Sequence, residues 1–136
     1  MILEKQDKKT LSDVRMAKAS EFLEDARANL RDGRYRTAIN RSYYAALSAV
    51  RAILILEGAN PETHEGVVTM LSLRFIKPGL LPVDIVKNFK VLLSRRSDVD
   101  YGDFDTIGRS DAADSIKLTR EIIELIEKTR KNLMAK

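Results

Sequence analysis

The apolar residues of this chain recur every three or four positions along almost its whole length, and this spacing is the strongest constraint on the fold. Such a period places side chains on one face of an α-helix, whereas no segment alternates polar and apolar residues convincingly, as a half-buried strand would. The helical pattern covers five segments, at residues 16–30, 39–53, 67–75, 85–93 and 116–133. The sequence therefore predicts an all-α bundle of about five helices joined by short loops.

Glycine, proline and alanine refine this prediction. Gly33 and Gly58 follow the first two segments, at the position where a glycine commonly ends a helix. The predicted starts of the later helices are, in chain order, the pair Asn60 and Pro61, then Pro82, then Ser110. Alanine crowds the second segment and would let neighbouring backbones approach closely, so we expect this helix to be central.

The length of 136 residues suits one domain with one core, so we expect a single helical domain over residues 1–136, with residues 1–9 as a flexible N-terminal segment. The absence of cysteine excludes disulfides and thiolate metal sites. The most apolar stretch, residues 43–59, is interrupted by Arg51 and is shorter than the roughly 20 residues of a membrane span. No signal-peptide pattern is present, and we expect a cytoplasmic protein without membrane attachment.

The net charge of +4 is compatible with binding to RNA or nucleotide phosphates but does not require it. Two groups of arginine stand out in the sequence: Arg31, Arg34, Arg36 and Arg41 in the first, and Arg95 and Arg96 in the second. Either group could bind phosphate or could form a solvated helix end. Charge alone favours the solvated helix ends.

Few residue patterns in the chain support catalysis or metal binding. His64 is the single histidine, which excludes a His–His metal pair, and a lone histidine is more often structural than catalytic. Residues 103–114, "DFDTIGRSDAAD", partly match a calcium loop, but Ile107 takes a ligand position and Asp114 replaces the usual glutamate. We therefore expect no metal or cofactor here. The carboxylates are expected to stabilise the start of the last helix.

The stretch "RRSDVDYGDF", residues 95–104, lies where the fourth helical pattern ends. Arg96 and Asp100 are four residues apart and share a helix face. One interpretation is a surface ion pair that contributes about a few tenths of a kcal/mol. The other is that Arg96 and Tyr101 point toward a shared cleft, where the arginine fork binds a phosphate. The residues by themselves leave these two interpretations evenly balanced.

Three motifs in order, "AINRSYYAAL" (38–47), "THEGV" (63–67) and "RSDVDYGDF" (96–104), precede a long last helix, and together they resemble the HEPN domain superfamily. The closest likeness is to small stand-alone members with the pattern Arg, three residues, Asp-Tyr. The resemblance covers nearly the whole chain and implies an up-and-down bundle of four to five helices, usually a homodimer. Many members are metal-independent RNases, often toxins paired with a small nucleotidyltransferase antitoxin of the MNT type.

The resemblance also implies roles for particular residues. The family signature is an arginine followed, four to six residues later, by a histidine; the arginine maps to Arg96 and the histidine position holds Tyr101. Arg96 is then expected to contact phosphate, Asp100 to orient it, and Tyr101 or a water to take the proton role. Tyrosine, with a pKa near 10, is a poor base, so Tyr101 could instead be a residue that the antitoxin modifies with AMP.

Other expected contacts to RNA or nucleotide come from Arg95, Arg41 and Tyr44, whereas Tyr43 is expected in the core. The predicted function is the toxin component of a toxin–antitoxin pair, a metal-independent RNase with tyrosine in place of the motif histidine. The alternative is a non-catalytic HEPN module that binds a nucleotide or a nucleotidyltransferase partner. A third interpretation is a purely structural helical dimer.

Overall fold

The computed structural model describes residues 3–102 and 107–136, which form helices and connecting turns without any strand. The helices are α1 (Lys5–Arg31), α2 (Tyr35–Leu56), α3 (His64–Leu71), α4 (Asp84–Tyr101) and α5 (Arg109–Met134). A π-helical turn, Ser72–Ile76, extends α3. The predicted all-α, up-and-down bundle is confirmed. Asp103 and Asp105 of the calcium-like segment lie outside the described residues.

The first two helices end where the glycines predict. Gly33 and Gly58 have positive φ angles of 76° and 77°, a conformation that glycine adopts without the steric cost of a Cβ. After α1, the amide of Arg34 donates to the carbonyl of Asn29 at 2.8 Å, which closes the helix end in a Schellman arrangement. Both predicted C-terminal stops are therefore confirmed.

The predicted helix starts need correction. Helix α3 begins at His64 rather than at Pro61, because the Thr63 hydroxyl accepts a hydrogen bond from the amide of Gly66 and caps the helix there. Helix α4 begins at Asp84, two residues after Pro82. For α5 the N-cap is Gly108 rather than Ser110. Residues 5–9, expected to be flexible, form the first turns of α1.

The start of α5 bears on the expected role of the nearby carboxylates. The Asp111 carboxylate accepts a hydrogen bond from the Gly108 amide at 3.1 Å, which satisfies one of the free N–H groups at the helix end. A carboxylate at this position also interacts favourably with the positive end of the helix dipole. Asp111 therefore has the stabilising role that the sequence suggests.

Helix α2 is the centre of the bundle and packs against each of the other helices. Its alanines are fully buried and allow close approach of the neighbouring backbones: Ala38, Ala45, Ala46, Ala49 and Ala52. Two buried hydroxyls bond to α2 carbonyls, Ser12 to Ala52 at 2.7 Å and Thr119 to Ser42 at 2.9 Å. These bonds fix the positions of α1 and α5 on α2.

A buried arginine connects α5 to α1. Arg130 is 7% exposed, and its Nη1 donates to the Asp13 carboxylate at 2.6 Å. Its Nη2 donates to Glu127, one turn earlier on α5, at 3.2 Å. Burial acts to lower the pKa of Arg130, but the hydrogen bonds and charges of these two carboxylates raise it above its ordinary value. Arg130 therefore stays charged and holds the two helices together.

Within residues 3–102 and 107–136, no helix is both long enough and apolar enough to cross a membrane. The same residues contain no group of three or more histidine, aspartate or glutamate side chains arranged to hold a metal ion.

Candidate active site

The guanidinium of Arg96, on α4, lies against two tyrosines of α2. Its Nη2 donates a hydrogen bond to the hydroxyl of Tyr44 at 3.1 Å. Its Cζ is 5.4 Å from the centroid of the Tyr44 ring and 5.6 Å from that of Tyr43. Both distances fall within the range of a favourable cation–π interaction. The two aromatic rings therefore fix the plane of the guanidinium.

Asp100 provides the opposite charge from one turn further along α4. The Nε of Arg96 is 3.0 Å from Oδ2 of Asp100, as the spacing of four predicts, and the two side chains are 19% and 28% exposed. The Nε–H does not point at this oxygen, so we describe the contact as an ion pair without a hydrogen bond. Solvent reaches both groups and weakens their attraction.

The remaining nitrogen of this guanidinium, Nη1 of Arg96, makes no hydrogen bond to any residue that the structure describes. The fork is therefore held on one side by Tyr44 and Asp100, while the other side can donate to a ligand. Such a planar, permanently charged donor suits the recognition of a phosphate.

The single histidine of the chain joins the same group of residues. The hydroxyl of Tyr43 forms a hydrogen bond with Nδ1 of His64, and the two ring centroids are 5.5 Å apart. His64 is the first residue of α3, where the Thr63 cap fixes the helix start. Tyr43 is fully buried, as the sequence predicts, and it contacts both Arg96 and His64.

The environment of Tyr43 decides which atom of His64 carries a proton. Burial raises the pKa of the Tyr43 hydroxyl far above its usual value, although the Arg96 charge opposes this and Tyr44 adds to it. The hydroxyl thus stays protonated, and Nδ1 of His64 is the acceptor that it finds among the described residues. With the Tyr43 hydroxyl as the donor, the imidazole of His64 carries its proton on Nε2.

Five residues from three helices thus form one group, the Arg96–His64 cluster: Arg96, Asp100, Tyr43, Tyr44 and His64. Sequence reasoning missed the place of His64 in it. Arg96 and His64 are 32 residues apart in the sequence, and no local spacing rule relates residues at this separation. One signal could have suggested this place: the lone histidine lies in "THEGV", a motif that the family resemblance already included.

Two residues predicted for the site lie outside the cluster. Tyr101 is 80% exposed at the end of α4, and the hydrogen bond and ring contacts that Arg96 makes within the described residues are to Tyr43 and Tyr44 instead. Arg95 faces α5, where its Nη1 is 2.8 Å from the Asp114 carboxylate and donates to the Ser115 hydroxyl at 3.2 Å. The two adjacent arginines diverge because successive residues point about 100° apart around a helix.

Arg41 lies near the cluster but outside it. Its Cζ is 5.7 Å from the centroid of the Phe22 ring, on α1. The Phe22 ring in turn lies 6.1 Å from that of Tyr44. Tyr44 itself is half-buried and bonds to Arg96, in agreement with its predicted position near the site.

Comparison with known protein families shows to which family the chain belongs. The sequence profile of the HEPN domain matches residues 12–129, which include every member of the Arg96–His64 cluster. The chain belongs to the HEPN family. Within the match lie all three motifs on which the resemblance depends.

Two relatives illustrate the range of the family. A UPF0332 protein of Thermotoga maritima is 28% identical over 127 residues, covering 93% of this chain and 96% of its own. A protein of Methanocaldococcus jannaschii named "Putative toxin MJ0142" is 28% identical over 135 residues, covering 99% of this chain and 89% of its own. The similarity to both extends over nearly the full length of each chain.

A solved structure shows the same fold. The crystal structure of TT1696 from Thermus thermophilus superposes with a TM-score of 0.75 and covers 87% of this chain and 97% of its own. Its sequence identity of 20% limits this similarity to the fold.

Proposed function

We propose that this HEPN protein is a metal-independent endoribonuclease and the toxin component of a toxin–antitoxin pair. The observation that carries the proposal is the contact of Arg96 and His64 with one buried tyrosine, Tyr43. A fixed arginine fork and an imidazole N–H held by the same tyrosine are suitable donors to a phosphate that gains charge during reaction. The name of the M. jannaschii relative supports a toxin role.

The proposed reaction is attack of an RNA 2′-hydroxyl oxygen on the adjacent phosphorus. The 2′-oxygen–phosphorus bond forms, the bond from phosphorus to the 5′-oxygen breaks, and the products are a 2′,3′-cyclic phosphate and a 5′-hydroxyl. Arg96 and the Nε2–H of His64 stabilise the charge on the phosphoryl oxygens. Water accepts the 2′-hydroxyl proton, and water, or the Tyr101 hydroxyl where bound RNA brings it close, gives a proton to the leaving oxygen.

The roles of the supporting residues follow from their contacts. Asp100 and Tyr44 hold Arg96 in place, and Tyr43 holds His64 in the tautomer that has Nε2 protonated. Each of these groups acts by fixing a donor before the substrate arrives, which is the least costly way to stabilise a charged transition state.

The proposal is tested by RNA cleavage in the presence of a chelator, with Arg96→Ala as the variant and Arg95→Ala as its control. We expect the Arg96 substitution to lower the cleavage rate by about 100-fold or more. The Arg95 substitution is expected to change it by less than about threefold, because that side chain faces Asp114. The product carrying a 2′,3′-cyclic phosphate is identified by mass spectrometry.

Absence of cleavage by folded wild-type protein would reject the RNase in favour of a non-catalytic module that binds a nucleotide or a nucleotidyltransferase. That alternative is favoured by one observation, the tyrosine at the motif position of the histidine. Nucleotide binding that depends on Arg96, without any cleavage, would establish it.

We also propose that the protein acts as a homodimer and that a small MNT-type nucleotidyltransferase serves as its antitoxin. Tyr101, with 80% of its surface exposed, is accessible for transfer of AMP from ATP. In this reaction the tyrosine oxygen bonds to the α-phosphorus and pyrophosphate leaves. Mass spectrometry after co-expression tests the proposal, with Tyr101→Phe as the control. An AMP adduct that persists in this variant would contradict the assignment.

A further inference from the structure

A second group of arginines lies away from the Arg96–His64 cluster, on the surface formed by α1, α2 and the loop before α3. Nη2 of Arg15 donates to Oδ1 of Asn60 at 3.0 Å, and Nη2 of Arg51 donates to the same oxygen at 3.3 Å. Nη1 of Arg15 also donates to the backbone carbonyl of Arg51 at 3.2 Å. We name these three residues the Arg15–Arg51 subsite.

Two positive charges meet in this subsite without a negative one. No carboxylate among the described residues forms an ion pair with Arg15 or Arg51, and the oxygen that they share is a neutral amide. Burial and the charge of Arg51 both lower the pKa of Arg15. Like charges held this close are unfavourable unless an anion is bound between them.

The donors of the subsite are also incompletely used. Nε of Arg51 is buried and makes no hydrogen bond with the described part of the chain. A buried polar group without a partner is uncommon in folded proteins and calls for an explanation. Two guanidinium groups that share one acceptor retain enough donors for the oxygens of a phosphate.

The position of the subsite indicates which anion it would bind. Arg51 follows Tyr44 by seven residues on α2, so both lie on one face about 10.5 Å apart along the helix axis. Phe22 follows Arg15 by the same seven residues on α1, and its ring lies 6.1 Å from that of Tyr44. The subsite and the Arg96–His64 cluster therefore lie along one surface, too far apart for a single phosphate but within reach of one polyanionic strand.

We propose that the Arg15–Arg51 subsite binds a second backbone phosphate of the RNA strand whose reacting phosphate binds at Arg96. The inference rests on the proposed function, because it takes the reacting phosphate at Arg96 as one of the two points that define the path of the strand across the face of α1 and α2. The partly buried rings of Phe22 and Tyr44, at the Arg96 end of this surface, offer surfaces on which bases can stack, as in other proteins that bind single strands.

The first test uses Asn60→Asp, which places a carboxylate between the two arginines. The new ion pairs should raise the urea midpoint of unfolding, and the added negative charge should repel a phosphate. Affinity for a fluorescent, fully 2′-O-methylated single-stranded RNA, measured by anisotropy, should fall by at least about tenfold. Misfolding cannot produce this pair of results, because it would lower the midpoint. Asn132→Asp on α5 is the control, since Asn132 is exposed and the substitution changes net charge equally.

The second test measures the dependence of the affinity on salt for Arg51→Gln and Arg51→Lys. Loss of one phosphate contact should lower the slope of log affinity against log salt by about 0.7 in the glutamine variant. The lysine variant keeps the charge and should keep the slope. Equal slopes for these two variants, or equal affinities for Asn60→Asp and Asn132→Asp, would overturn the subsite.

The blocked 2′-oxygen of this probe prevents cleavage, so binding is measured independently of RNase activity. Binding that depends on Asn60, in a protein that cuts no RNA, would support the subsite and reject the RNase. Cleavage that is the same in Asn60→Asp and Asn132→Asp would keep the RNase and reject the subsite. If Asn60→Asp leaves RNA binding unchanged but loses a protein that co-purifies with the wild type, the phosphate subsite is rejected in favour of a protein contact.

Discussion

Arg96 and Arg130 are both largely enclosed arginines with a carboxylate one turn away on the same helix, but their guanidinium groups are used differently. Arg130 donates to two carboxylates, Asp13 and Glu127, and links α5 to α1. Arg96 has one carboxylate beside its Nε, two aromatic rings against its face, and an Nη1 without a partner among the described residues.

The difference shows how to distinguish a structural arginine from a functional one. Where carboxylates satisfy most of the donors, the charge is neutralised and the side chain contributes to stability. Where aromatic rings fix the plane and leave donors unused, the side chain is positioned for a ligand. The Arg15–Arg51 subsite shares with the second case only its unused donors, because two cations share one neutral acceptor.

The largest expected effect that would sharpen this comparison concerns His64. Replacing it with alanine removes the proposed Nε2–H donor that Tyr43 holds, and we expect RNA cleavage to fall by about 100-fold. The matched control is Thr69→Ala, an exposed position on the same helix. Initial rates on a labelled RNA measure the effect. A rate within twofold of the control would remove His64 from the proposed site.

A smaller effect is expected when Arg130 is replaced with methionine. The substitution leaves Glu127 and Asp13 without their partner. The free energy of unfolding, measured in urea, should therefore decrease by about 2 kcal/mol. This is less than for a fully buried pair, because Asp13 is half-exposed. RNA cleavage below the unfolding transition should be unchanged. Arg96→Met should show the reverse, with lost cleavage and nearly unchanged stability. Equal stability losses in the two variants would break the comparison.

The smallest effect concerns the pH dependence of stability that arises from Tyr43. Its pKa is raised in the folded protein, so its contribution to stability is complete below the unfolded value near 10 and is lost as the pH rises above that value. Between pH 10 and 11 the free energy of unfolding should decrease by about 1 kcal/mol through this group. Urea titrations should find a smaller decrease in Tyr43→Phe.

The control for this titration is Tyr101→Phe, which removes an exposed hydroxyl. It should keep the wild-type decrease above pH 10. If Tyr43→Phe and Tyr101→Phe have the same pH profile, the buried hydroxyl is not the group that causes the loss of stability.

The sequence by itself determined the features that depend on residues close together in the chain. The helical period of the apolar residues predicted the all-α bundle, and Gly33 and Gly58 predicted two helix ends because glycine alone adopts positive φ at little cost. The spacing of four between Arg96 and Asp100 predicted their pairing, since a helix places these positions on one face.

Helix starts were harder to predict because several capping residues compete for them. Asn60 has the side chain of an N-cap, but its carbonyl oxygen is bound by two arginines, and Thr63 caps α3 instead. Ser110 likewise gives way to Gly108, whose amide is bound by Asp111. In each case a contact made by the folded loop outweighs the local preference.

Only the tertiary structure decided which distant residues meet. Tyr43 and His64 are 21 positions apart, and Arg15 is 45 positions from Asn60, so no periodicity relates the members of either pair. The packing of α1, α3 and α4 on α2 brings them together. The same packing turns Arg95 to α5 and Arg96 to the tyrosines, because adjacent helical residues point in different directions and each meets a different neighbouring helix.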